Sequence, residues 1–184
     1  MLEPIFTANV QQAVFRDLLQ AQSYPGRAVD VGHHAPDVPA YRTVLAALLD
    51  AEISLADPVG RLSAEHDWPF LEARAAGTEH ADFILVPGDT VHPLEPRLGS
   101  LAEPEQSATL ILTVNELGGE TGDGLRLRGP GVPGERQLHV DGLHPDWLRQ
   151  RADWNAAFPM GVDIILASQA RIAALPRTTH VEVI

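Results

Sequence analysis

The chain has 184 residues, 45% hydrophobic and 21% charged, with no Cys, all thirteen cationic side chains Arg, and a formal net charge of −12. The length suits one domain with a full core, so residues 1–184 read as a single domain. The missing Cys excludes disulfides and thiolate chemistry, and the missing Lys excludes a covalent pyridoxal phosphate aldimine and the Gly-Lys-Ser/Thr phosphate loop.

The acidic excess lies in residues 1–124, with 6 Arg against 19 acidic residues; residues 125–184 hold 7 Arg against 6. Such a surface repels nucleic acid and anionic membranes, so neither is an expected partner. No apolar run approaches the roughly 20 residues of a membrane span. The opening MLEPIFTANV has neither the cationic start nor the apolar core of a secretory signal. The expectation is a soluble, cytoplasmic protein.

Residues 7–22 read as an amphipathic helix, with Val10, Val14 and Leu18 in one stripe widened by Phe15 and Leu19. Thr7 stands at its start, and Pro25-Gly26 lies past its end. Residues 27–31 read as a short strand. Residues 41–50 carry Val44, Leu45, Leu48 and Leu49 at helical spacing, and 53–56 read as a strand ended by Asp57-Pro58. A helix is expected over 68–76, a buried strand over 83–86, a loop through Pro93, Pro96 and Pro104, and a strand over 109–114. Residues 125–128 and 137–140 alternate as strands do. Residues 144–158 read as a helix with Trp147, Leu148, Ala152 and Ala156 inward. Residues 162–167 and 172–175 read as a hairpin, and 179–184 as a last strand. Strands separated by helices and then hairpins predict an α/β domain with a mixed sheet.

Gly129-Pro130-Gly131-Val132-Pro133-Gly134 matches the dinucleotide pattern G-x-G-x-x-G. The pattern needs a helix next, and an alternating stretch follows; two prolines also remove amide donors. A strand-to-strand turn is the better reading. His33 and His34 are adjacent, so an extended chain would point them to opposite faces. The remaining histidines show no His-x-x-x-His repeat, so no metal site is expected. No G-x-S-x-G elbow marks a serine hydrolase.

Pro176-Arg177-Thr178-Thr179-His180-Val181-Glu182-Val183 places polar groups between apolar strands. Arg177 offers a planar five-donor fork suited to phosphate or carboxylate, and Thr178, Thr179 and His180 add short-range hydrogen-bonding groups. A salt bridge at a sheet edge and an interface histidine explain the same residues.

That run, with FPMGVDIIL over 158–166, resembles the PhnH family, a subunit of the bacterial carbon–phosphorus lyase system. Phe15-Arg16 with Leu18-Leu19, then Ser23-x-Pro25-Gly26, is similar to the family's opening helix and turn. Residues 109–114 and 125–131 fall at its central strand and its Leu-Arg-Leu, Gly-Pro-Gly segment. The resemblance implies a fold like that of pyridoxal-phosphate-dependent transferases, without the cofactor. It implies a homodimer in isolation and a core complex with PhnG, PhnI and PhnJ. With PhnG, PhnI and PhnL, the family is needed to transfer ribose triphosphate from ATP to a phosphonate. The expected role is an accessory subunit with its chemistry on other subunits and no cofactor or metal of its own. The rivals are a self-sufficient enzyme with an Arg177, Thr178, Thr179 and His180 site beside Arg126 and Arg128, and a dimeric scaffold unrelated to phosphonates. Arg177 and His180 are also the expected polar anchors of a contact surface in the C-terminal third.

Overall fold

The computed structural model describes residues 3–184, so the first two residues of the N-terminal stretch discussed above lie outside it. The elements in chain order are α1 (Ala8–Ser23), β1 (Val29–Asp30), α2 (Ala40–Leu48), β2 (Ser54–Ala56), α3 (Trp68–Leu71), β3 (Arg74–Ala75), β4 (Phe83–Pro87) and β5 (Thr109–Thr113). They continue with β6 (Glu116–Leu117), β7 (Asp123–Gly129), β8 (Val132–Asp141), α4 (Pro145–Trp154), β9 (Asp163–Ala167), β10 (Arg171–Leu175) and β11 (His180–Val183). Among the described residues no helix is long and apolar enough to cross a membrane.

Two sheets form. The larger is mixed, in the order β1-β10-β9-β5-β4-β2-β3, with β9, β5, β4, β2 and β3 parallel and β10 and β1 antiparallel at one edge. The smaller, β11-β7-β8-β6, is wholly antiparallel. The mixed α/β expectation holds, with this second sheet added.

The side-chain period of two along a strand divides the core. On β4, β5 and β9, Ile84, Val86, Leu110, Leu112, Ile164 and Leu166 face the small sheet and Trp147 of α4. The intervening Leu85, Ile111 and Ile165 face α1 and α2 through Val14, Leu18, Val44 and Leu45. All nine strand residues are buried. Strands apolar on both faces are what a parallel sheet covered on both sides requires. The layers are therefore helices, large sheet, and small sheet with α4.

Several expected boundaries move, each for a local reason. Residues 68–76 give one helical turn: Glu72 is left-handed at φ 58°, and Arg74 and Ala76 then donate to the carbonyls of Ile53 and Leu55. The helix expected to reach residue 158 stops at Trp154. The Asn155 side chain accepts from the Val162 amide at 2.8 Å and donates to its carbonyl at 3.3 Å, which turns the chain away. Within that helix Ala152 and Ala156 are exposed and Arg151 is buried. Phe15 and Leu19, expected to widen the inward stripe of α1, are 45% and 51% exposed. Val132 already belongs to β8, so the G-x-G-x-x-G segment is a tight hairpin running straight into a strand.

Candidate functional site

β9 begins at Asp163, where the polar C-terminal run meets the amino end of the large sheet. All five donors of the Arg177 guanidinium are engaged within the chain. Nε donates to Asp163 Oδ1 at 3.4 Å; one terminal nitrogen donates to the carbonyls of Pro104 at 2.9 Å and Pro159 at 3.2 Å; the other donates to Asp163 Oδ2 at 2.7 Å and to the Ser107 hydroxyl. The Arg177 amide donates to Asp163 Oδ1 at 2.6 Å. The fork thus ties three separate loops to the start of β9, and its planar geometry serves internal carbonyls and a carboxylate.

Beside this clamp lies a recess of about 310 Å³, lined by Arg151, Asn155, Arg177, Thr178, Thr179 and His180 among others. Its floor is unusual. Arg151 is 5% exposed and donates to the carbonyls of Pro176 at 2.6 Å and Thr179 at 2.9 Å. No carboxylate pairs with it directly among the described residues, and burial pulls its guanidinium down to about 10, opposed by the more distant Asp163. Its Nε and the buried Thr179 hydroxyl have no partner among the described residues. Sequence reading missed Arg151, although its spacing of four from Trp147 puts it on the inward stripe of the helix.

The other candidates stand on the outer face of the small sheet. Register places His180 opposite Arg128 and Glu182 opposite Arg126. Arg126 lies 3.6 Å from Glu182 and 3.8 Å from Glu135, and Arg128 lies 3.1 Å from Glu135. His180, 67% exposed, approaches Glu182 at 3.1 Å, and that hydrogen bond is the main cause holding the Glu182 carboxyl below its ordinary value. Structure therefore splits the expected set. Arg177 is an internal clamp, Thr178, Thr179 and His180 line the recess with it, and His180 also joins Arg126 and Arg128 in an exposed charged ladder. β11, whose far side pairs with no strand among the described residues, also carries Val183, 52% exposed.

Fold and site define a mixed α/β protein with a covered parallel sheet and an exposed, charge-alternating antiparallel one. Residues 5–182 match the family model described as "Bacterial phosphonate metabolism protein (PhnH)", and the chain belongs to the PhnH family. It is 46% identical over 177 residues, 96% of this chain and 88% of the relative, to the "Putative C-P lyase subunit protein HtxG" of Stutzerimonas stutzeri. It is 29% identical over 190 residues, 98% of this chain and 92% of the relative, to the "Alpha-D-ribose 1-methylphosphonate 5-triphosphate synthase subunit PhnH" of Rhizobium meliloti.

Proposed function

We propose that this chain is the PhnH-type subunit of a carbon–phosphorus lyase assembly. It would act in the cytoplasm with PhnG-, PhnI-, PhnJ- and PhnL-type partners in transferring ribose triphosphate from ATP to a phosphonate. The names of its two relatives support the assembly. One geometric observation supports an accessory role: the five donors of Arg177 are satisfied inside the chain, while Arg126, Arg128 and His180 lie on an outward sheet face at an open strand edge. Residues built this way position a surface for contact and leave no free donor fork for a substrate of the Arg177 site.

Self-association belongs to the same reading. The unpaired edge of β11, with Val183, and the outward stripe of Phe15 and Leu19 on α1 are apolar surface that a second chain would cover. We also read residues 1–184 as one PhnH-like domain with the frame of a pyridoxal-phosphate-dependent transferase, although without lysine it cannot form the aldimine. The deciding experiment is reconstitution of the phosphonate-activating reaction from purified partners with and without this chain. Product only when the chain is added supports the proposal. Equal product without it, or turnover by this chain alone, defeats it.

A further inference from the structure

At the other end of β9, the carboxyl end, the chain passes through residues 168–170 into β10, and β1 pairs with β10. Val31 and Gly32 both donate to the carbonyl of Ala170, at 2.8 and 2.9 Å. They seat a short 3₁₀ turn, Gly32–His34, on this end of the sheet. A Cβ at position 32 would lie 2.7 Å from the Ala170 methyl, so only glycine lets the turn sit this close. The turn overturns the expectation that His33 and His34 face opposite ways: their ring centroids are 3.8 Å apart.

α1 presents Asp17 to the same point. Its Oδ2 lies 2.7 Å from His34 Nε2, and one donor atom each from Asp17, His33 and His34 falls within 4.8 Å of the others. Behind His33, Asp30 Oδ1 stands 3.6 Å from Nδ1 and accepts from the Gly32 amide at 2.9 Å. Among the described residues neither carboxylate is paired with an arginine.

We propose that Asp17, His33 and His34 bind a divalent transition-metal ion of the zinc class, with Asp30 orienting the His33 ring. Two imidazoles and a carboxylate are a donor set such ions favour, and a tetrahedral site with bonds of ~2.0 Å needs donors about 3.3 Å apart. Metal binding would open the 2.7 Å Asp17–His34 separation toward that value and draw the exposed His33 ring, now within 4.8 Å, into the same shell. The carboxylate behind a ligating histidine fixes its tautomer and raises its basicity. A plain Asp17–His34 hydrogen bond would need neither the adjoining, tilted His33 ring nor Asp30. Three protein ligands leave a fourth position open, beside a cavity of about 430 Å³ lined by His33, Asp37 and Gln169 among others. Open parallel sheets commonly bind ligands at this end.

The probes are Zn²⁺ and Co²⁺ with the metal-stripped full chain. Calorimetry is expected to give one Zn²⁺ site per chain with Kd of about 1 μM or tighter. Co²⁺ should give the visible absorption of a four-coordinate ion. Asp17→Asn, His33→Gln and His34→Gln should each weaken binding by more than about 100-fold, and Asp30→Asn by about 10-fold. His66→Gln, an exposed control, should leave it unchanged. Thermal melts of the metal-free variants check that each is folded; His33, the most exposed ligand, is the safest substitution. No saturable binding, several weak sites, or one site indifferent to His33→Gln would overturn the proposal.

Discussion

Arg177 shows how one side chain can organise a fold. Truncating it would strand the Asp163 carboxylate and leave two carbonyls and the Ser107 hydroxyl without their donor. Removing one member of such a partly buried pair costs about 2–4 kcal/mol, so urea unfolding of Arg177→Ala should show a loss of that size. Arg177→Lys should recover less than half, because a point charge cannot replace the fork. Asp82 supplies a pH-dependent contribution. Burial tends to raise its pKa, but hydrogen bonds from the Ser54 hydroxyl and amide and the ion pair with Arg97 outweigh that and hold it below its ordinary value. A carboxyl depressed in the folded state stabilises above its unfolded value of about 3.9 and loses that contribution as pH falls through the folded value. The stability gap between wild type and Asp82→Asn should therefore be full above about pH 5 and close at lower pH. A gap that stayed constant on acidification would contradict this.

At the scale of elements, the β7–β8 hairpin is held against the end of α1. Arg136 of β8 donates to the carbonyls of Tyr24 and Pro25 at 3.0 and 2.8 Å. Gly131 sits in the turn at φ 77°, and a Cβ there would run into the Ser23 carbonyl. Gly131→Ala therefore combines backbone strain with displacement of α1. It should cost more than about 1 kcal/mol, read as a lowered Tm. ATP affinity, measured by calorimetry, should be unaffected by the same change. Tight ATP binding lost in Gly131→Ala would restore the dinucleotide-loop reading.

For the whole molecule, the charge division bears on assembly. Residues 125–184 are near neutral and hold most of the small sheet, whereas the net negative charge lies in residues 1–124, where 19 acidic residues face 6 Arg. Two copies, or a copy and a partner, approach through the C-terminal third with the least repulsion. Light scattering of the pure chain should give a dimer. Val183→Lys combined with Phe15→Asp should shift it toward monomer while the far-ultraviolet circular dichroism stays unchanged. A monodisperse wild-type monomer at high concentration would remove the basis for self-association.

Sequence by itself determined the class and most of the elements. Runs such as residues 83–86 and 109–114 are apolar on both faces, and the hydrophobic effect leaves a strand of that kind only the middle of a covered sheet. The C-terminal run from Pro176 pointed to the family, because its order of residue types is specific. Tertiary structure alone decided how the candidate residues are arranged. Arg177 was legible as a fork, but its partners Pro104, Ser107, Pro159 and Asp163 come from distant segments, and only folding showed that they use every donor. Arg151 escaped because a charge on an inward stripe is rare, and it is tolerated through carbonyls supplied by Pro176 and Thr179. His33 and His34 are adjacent in sequence, a spacing that in extended chain sends side chains to opposite faces. Two hydrogen bonds to the Ala170 carbonyl curl them into one turn facing Asp17, and an anchor in the β9–β10 turn, distant in sequence, leaves no trace in local periodicity.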